Sequence, residues 1–511
     1  MSTTWYWGDL HNHCAISYGH GSLERALAVA RQQLDFCAVT GHAFWPDMPD
    51  GPADRERLGP IREYHQAGFA RLRDGWSEVQ RQMAAANAPG RFVTFPSYEW
   101  HSNADGDHHI LYAGDGAPLI GGARIGDVKD ALRAATAAGA APPALVVPHH
   151  IGYPAGSRGI NWETFSESLS PFVEIVSMHG CAESDEAPAP YLRRMGPRDG
   201  HSVASWGLRL GHRVGLVGST DHHAAYPGSY GSGRLAAAAT ALTREALWEA
   251  FLARRVYAAT GDRIGLDVTL DGHPMGAEVA APGRRRLELR VQGRGPLQTV
   301  QVLKNERPLR AWGPPDSPDA HSRADGGAPL RALVRLEWGW SDAAAFPWEC
   351  RLSLQDGALL DVETCFAGPP ISAPVASYQE EETLPHVLLA RDATSCAWRS
   401  RTAPSPTERH SGNQALIAEV EMPPGAVLIW EANGQRFAHT LSDLLDASRA
   451  HVLRGWRSEA VHFHRALPVA AARLEAAFED APGHGEVDVY RLRVGQQNGQ
   501  WAWSSPIWAH R

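Results

Sequence analysis

His11 and His13 stand two apart at the end of an aromatic and apolar run, Trp5-Tyr6-Trp7-Gly8-Asp9-Leu10. On an extended backbone such neighbours point to the same side, so both imidazoles can face one metal ion. The pattern recurs. Further apolar runs end in Gly41-His42, Glu99-Trp100-His101, His149-His150, Met178-His179-Gly180 and Asp221-His222-His223, while His108-His109 opens another. Histidine with carboxylate, and no patterned cysteine, is a donor set for zinc, manganese or iron rather than for a thiolate site. So many donors exceed the needs of one tetrahedral ion. Two to three divalent ions (Mn, Zn or Fe) bridged by a carboxylate are expected, and such clusters do hydrolytic work by acidifying a shared water and clamping transition-state charge.

The elements that must position these residues alternate between apolar strand and helix. Strands are predicted at 36–40, 92–98, 144–148, 172–177, 214–220 and 256–260. Helices are predicted from the N-cap Ser22 over 23–30, and over 60–86, 125–138, 203–210 and 243–254. This alternation argues an α/β class with a parallel arrangement. About seven strands without a Gly-rich dinucleotide turn favour a barrel over a doubly wound sheet, and in such barrels the loops at the C-terminal strand ends build the site.

From about residue 264 the pattern changes to short alternating strands with Gly/Pro turns, as in Leu266-Asp267-Val268-Thr269-Leu270 and Arg286-Leu287-Glu288-Leu289-Arg290-Val291. This reads as a β-sandwich-type region. The expected division is a barrel at 1–263, a β-sandwich at 264–376, an insertion or further β-rich module at 377–480, and final sandwich strands at 481–511. Residues 314–328, rich in Pro, Asp, Ser and Gly, are expected to form an exposed loop. His462 and His464 share the i, i+2 spacing but have no company in this half.

At 511 residues the chain should hold two or three domains, and 43% hydrophobic with 21% charged residues is a globular composition. A net charge of -9, with Lys129 and Lys304 the only lysines, offers no basic surface, so no nucleic-acid partner is expected. There is no basic-then-apolar leader pattern and no apolar run long enough to cross a bilayer, so no membrane partner is expected. Six scattered cysteines without C-x-x-C spacing are read as reduced thiols, with a cytoplasmic location.

Residues 4–263 resemble the PHP (polymerase and histidinol phosphatase) superfamily of metal-dependent hydrolases. Gly8-Asp9-Leu10-His11-Asn12-His13 resembles its first motif, Thr40-Gly41-His42 the second, and Ser219-Thr220-Asp221-His222-His223 the last, D-x-H, motif. Tyr257-Ala258-Ala259-Thr260-Gly261-Asp262-Arg263-Ile264, followed by Met275-Gly276, is similar to the larger, carbaryl-hydrolase-like branch with an appended β-domain. The resemblance implies a distorted (β/α)7 barrel with a trinuclear site. His11, His13 and Asp221 would hold a first ion, and Glu99 would bridge it to a second. That second ion would take His109 and His149, with His108 and His150 as alternatives. His20, His42 and His223 would hold the third. Glu99, Asp221 and His223 are then the catalytic candidates.

One departure stands out. The superfamily usually has T-D-H in its second motif, where this chain has Thr40-Gly41-His42. Asp9 or Asp47 would have to supply the missing carboxylate. Glu174, Glu183 and His179 form a further polar cluster, in which Glu174 could orient a ligand histidine. Trp45, Tyr153, Arg158, Tyr226, Tyr230 and Arg234 lie on loops after the metal motifs. Of these, Tyr153, Arg158, Tyr230 and Arg234 are candidates for binding substrate, an arginine forking onto a phosphate or carboxylate.

The activity implied is attack by a metal-bridging hydroxide on a small-molecule ester, a phosphoester first (phosphomono- or diesterase). A carboxylic ester or carbamate hydrolase is the alternative, and a metal-stabilised binding or regulatory protein is the reading from another class. The C-terminal half leaves a lid, a pocket wall or a homo-oligomer contact open.

Overall fold

The strand Thr4–Asp9 (β1) runs into the heart of the molecule and delivers Leu10, His11 and His13, all fully buried. The structure, a computed structural model, describes residues 3–188, 196–314, 328–341, 345–369, 384–404 and 412–511. After β1 the Ser22 side chain caps the helix Leu23–Gln33 (α1), accepting from the Arg25 N–H at 3.2 Å. Next come the strands Phe36–Ala38 (β2) and Gly41–Phe44 (β3), then the helix Pro52–Ala86 (α2). That helix begins eight residues before the expected start, because Pro52 at its first turn suits a helix start while Pro60 is tolerated inside it.

The strands Val93–Phe95 (β4), Ser97–Trp100 (β5) and His108–Tyr112 (β6) precede the helix Ile125–Ala137 (α3). Ala144–Pro148 (β7), Phe172–Ser177 (β8) and Gly180–Cys181 (β9) follow, then the helix Ala204–Arg209 (α4). The strands Gly215–Gly218 (β10) and Arg234–Ala239 (β11), the helix Arg244–Leu252 (α5) and the strand Val256–Ala259 (β12) complete the N-terminal region.

This region is mixed α/β, but among the described residues its strands do not close a hydrogen-bonded barrel. Three ladders share it: β12-β11-β1-β2-β4, β3-β5-β6-β7, and β10-β8-β9. Nor are they all parallel, since β1 and β11, β5 and β6, and β6 and β7 run antiparallel. The breaks have local causes. Pro96, which has no N–H to donate, separates β4 from β5, and Val39-Thr40 separates β2 from β3. Each of these chains therefore leaves the first ladder and joins the second. What holds the three together is one core. Leu10, Phe36, Phe95, Leu145, Phe172 and Leu235 meet in it, under a lid of Leu247, Trp248 and Phe251 from α5.

The C-terminal region is built of antiparallel β-sheets. Gly265–Leu270, Arg285–Gln292 and Arg473–Asp480 form one sheet, which packs on Leu297–Lys304, Val487–Gln496 and Ile507–His510. Trp501–Ser504 pairs with β12, so strands from the end of the chain extend the N-terminal sheet. A second sandwich has Leu330–Gly339, Ala358–Cys365, Gln414–Met422, Arg449–Val452 and Ala460–Phe463 on one side. Phe346–Leu354, Val387–Arg391, Ser395–Thr402, Val427–Ala432 and Gln435–Thr440 form the other, around Trp338, Trp348, Trp398 and Trp430.

Strands from both sides of the expected 376/377 boundary thus share two sheets, and Arg473–Asp480 pairs outside its expected module. Alternation marks a strand but does not name its partner. The loop expected at 314–328 lies almost wholly outside the described residues. No described helix is long and apolar enough to cross a membrane. The six cysteines are all buried and none is in a disulfide.

Candidate metal centre

Glu99, near the end of β5, is the hub. Its Oε2 lies 3.1 Å from His42 Nε2, 3.4 Å from His13 Nε2 and 3.8 Å from His11 Nε2. Its Oε1 lies 2.9 Å from His149 Nε2 and 3.1 Å from His101 Nδ1. Asp221 is the second hub, with Oδ1 3.0 Å from His13 Nε2 and 3.4 Å from His11 Nε2, and Oδ2 2.8 Å from His179 Nε2. Asp221 holds a left-handed backbone (φ 51) and donates its N–H to the His11 carbonyl at 2.7 Å. An acidic side chain tolerates that conformation better than most, so the D-x-H loop can close onto β1.

Several sets of donor atoms are close enough to share an ion, among them His11 with His109 and His149; His13 with His42 and His223; and His11 with His13 and Glu99. Four of these rings are oriented by what their other nitrogen meets. His11 Nδ1 is 2.9 Å from Glu174 Oε2, His13 Nδ1 faces the Thr40 carbonyl, and His42 Nδ1 is 3.0 Å from Ser17 Oγ. His223 Nδ1 is 2.8 Å from the Asp221 carbonyl. Such partners fix which nitrogen faces the cluster.

Burial and neighbouring charge set the protonation. Burial, then adjacent imidazoles, hold His42, His109 and His149 well below the ordinary histidine range, so their rings are neutral. Burial raises Glu99 and Asp221, yet the histidines around them win and hold both carboxyls well below the usual range. Burial pushes Glu174 up to about 7 against the pull of His11. Ionised carboxylates and neutral imidazoles are the forms that bind divalent metal. His11 departs from this: burial lowers it, yet Asp221 and Glu174 outweigh burial and hold it well above the ordinary histidine range, so an ion bound there must displace its proton. His109 Nε2 is buried with no hydrogen-bond partner. An unpartnered ring nitrogen beside ionised carboxylates fits a divalent cation.

The remaining expected residues divide. His20 reaches the cluster by its backbone, donating to the His223 carbonyl at 2.8 Å, and His13 stands with His42 and His223 where His20 was expected. His108 turns its Nδ1 to the Gly106 carbonyl at 2.9 Å. His150 lies beside Glu99, Asp107 and His149, its Nε2 3.2 Å from Asp107 Oδ2. Arg158 is mostly buried, ion-paired to Asp107 and stacked 4.9 Å over Trp45. Tyr153 Oη is 2.7 Å from His179 Nδ1, which turns His179 Nε2 toward Asp221.

Tyr230 and Arg234 do not face the cluster. Tyr230 donates to Asp262 at 2.7 Å, and Arg234 donates to the Gly228 carbonyl at 2.7 Å, bracing the loop from behind. Glu183 stands apart from Glu174, ion-paired to Arg491 and Arg493.

Neither Asp9 nor Asp47 replaces the second-motif carboxylate. Asp9 accepts from the Thr220 hydroxyl and from the Gly228 N–H at 2.8 Å, and Asp47 caps the turn at Ser102, Asn103 and Ala104. A side chain at Gly41 would press on Leu72, because its Cβ would lie 2.5 Å from Leu72 Cδ1. The extra buried acid is Asp107, 3.0 Å from His101 Nδ1. His101 lies outside the expected ligand set, although its i+2 spacing from Glu99 repeats the His11/His13 signal. Asp107, at a turn before a strand, carried no signal of its own.

No family model matches the chain. It is 30% identical over 194 residues to an uncharacterized protein of Chlamydia pneumoniae, covering 35% of this chain and 31% of the relative. It is 27% identical over 173 residues to an uncharacterized protein of Chlamydia trachomatis, covering 30% and 28%. The matches thus span under a third of these relatives' own length. Among solved structures, a two-domain protein from Bacteroides vulgatus containing a predicted PHP-like metal-dependent phosphoesterase aligns at 14% identity with a TM-score of 0.32, covering 59% of this chain and 79% of that one.

Proposed function

We propose that this protein is a metal-dependent hydrolase of small-molecule esters, phosphoesters first, with the N-terminal ladders forming a distorted (β/α)7 barrel opened at its proline and loop breaks. One observation carries the reading: a single buried carboxylate, Glu99, meets the ring nitrogens of five histidines that come from β1, β3, β5 and β7 or the turns that follow them. His11, His13, Asp221 and Glu99 would hold one ion, Glu99 with His109 and His149 a second, and His42 with His223 a third. When bound, divalent ions supply Lewis acidity, lowering the pKa of water and neutralising charge on a phosphoryl or carbonyl oxygen.

The chain's own residues do the positioning. Glu174 fixes the His11 ring, and Asp9 ties the D-x-H loop to β1 through Thr220 and Gly228. Trp45 and Asp107 hold Arg158 at the rim, where its guanidinium can take an anionic group of the substrate.

The test is a panel of chromogenic phosphate, carboxylate and sulfate esters, run on protein whose metal content has been counted. Turnover of phosphate esters with two to three ions per chain supports the proposal. Turnover of carboxylate esters alone moves the substrate class to esters or carbamates. Bound metal with no turnover on any ester points instead to a metal-stabilised binding protein.

A further inference from the structure

The pair His462 and His464, isolated in the sequence, finds a carboxylate in the fold. In the antiparallel ladder of Ala460–Phe463 on Leu330–Gly339, His462 stands directly opposite Glu337, and beyond it His464 donates its backbone N–H to the Arg335 carbonyl at 2.9 Å. All three side chains therefore rise from one face of the sheet. His464 Nε2 lies 2.8 Å from Glu337 Oε2, and the two imidazoles sit 4.2 Å apart between centroids, tilted by 40°. Ligand atoms bonded tetrahedrally to one zinc at about 2.0–2.2 Å stand roughly 3.3–3.6 Å from each other. His464 and Glu337 lie at hydrogen-bond distance, so an ion entering there would replace that hydrogen bond and part the two atoms by roughly half an ångström.

The surroundings keep the group open on one side and ordered on the other. Asn413 Nδ2 donates to Glu337 Oε1 at 2.8 Å, fixing the carboxylate and leaving Oε2 toward the histidines. Opposite His462 on the next strand stands Ala450, small and exposed, so nothing bulky covers it there. On the other flank the Trp340 ring lies 6.2 Å from the His462 ring. The side chain of His464 is 34% exposed, so an ion there would complete its coordination with water.

We propose that Glu337, His462 and His464 form a separate site for one divalent transition ion, zinc or copper by its donor set, on the outer sheet of the second sandwich. Two imidazoles and a carboxylate suit these borderline ions and are poor ligands for magnesium or calcium. The ion would staple two strands already joined by the ladder and by the His464–Glu337 contact. This site stands independently of the strand-end cluster and of any hydrolysis.

The experiment uses the full chain without an affinity tag, dialysed against zinc buffered at one low free concentration, with zinc per chain counted by plasma mass spectrometry. The double variant His462→Ala/His464→Ala should bind one equivalent fewer than the parent, while turnover of a chromogenic phosphate ester stays the same. Glu337→Gln, which keeps volume and hydrogen bonding, should lose that same equivalent and serves if the double variant does not fold. Equal zinc in parent and variants overturns the proposal. A parent holding one equivalent against none would support this site while defeating the strand-end cluster.

Discussion

A carboxylate at position 41 would have to enter the space that Leu72 and Ile16 fill, with Leu72 Cδ1 2.5 Å from where the first carbon would go. Gly41→Asp should therefore destabilise the protein by about 1–3 kcal/mol through overpacking alone, with burial of a charge adding to that. Urea unfolding checks it, and Gly41→Asp/Leu72→Ala should recover part of the loss. A Gly41→Asp protein as stable as its parent and more active would show that the site lacks an acid it could use. Glu174→Gln keeps the shape at His11 but weakens the orienting bond, so metal affinity should fall roughly 10–100-fold. Metal-buffered dialysis reads that directly. His11→Ala and Asp221→Ala remove donors outright. Both should abolish hydrolysis and lower metal content, with the C-terminal sheets still folded by circular dichroism, and unchanged activity in both would sink the site assignment.

Strand ends were the legible feature at the scale of elements. Apolar runs stopping at His11, His42, Glu99, His149 and Asp221 carry local signals, and the fold gathers those residues at one place. Pairing was not legible. Nothing in Val93-Thr94-Phe95-Pro96-Ser97-Tyr98 tells which side of Pro96 joins which ladder, nor that the last strands return to β12. Orientation was also hidden. Tyr230 sits on the expected loop and Arg234 opens β11 instead, and their partners, Asp262 and the Gly228 carbonyl, turn both away.

That same loop receives the second sandwich. Gly368 donates its N–H to Ser229 Oγ at 2.9 Å, and a Cβ there would lie 2.6 Å from Tyr226 Cγ and 2.8 Å from His222 Cε1. Gly368→Ala should push on the segment that carries Asp221 and His223. The expected result is a loss of about 1–3 kcal/mol and weaker metal binding, measured by thermal unfolding and dialysis on one sample. Full metal affinity in that variant would mean the sandwich merely rests on the loop.

Across the whole molecule the N-terminal region and the late strands are joined by buried charge. Glu183 pairs with Arg491 and Arg493, and Arg491 also pairs with Glu306. Burial raises the Glu183 carboxyl, but the two guanidiniums hold it below its ordinary 4.5. Its stabilisation is therefore complete above that ordinary value and is lost as pH falls through the lower folded one. Glu183→Gln should cost about 3 kcal/mol, the low end for a broken buried pair, because Glu306 stays on Arg491. It should also flatten the acid side of the profile of melting temperature against pH. A variant as acid-sensitive as the parent would assign that sensitivity elsewhere.

The pairing of β12 with Trp501–Ser504 also bears on how the chain is made. Thr260 meets Gln500 across 240 residues of sequence. At about 5–20 residues per second, a ribosome needs tens of seconds between one edge and the strand that covers it. For that interval the N-terminal half carries an open β-edge, the feature through which nascent chains join one another. A ribosome stalled before Trp501 would hold a chain with every proposed metal donor already made and its edge exposed, a substrate for chaperones before its sheet is complete.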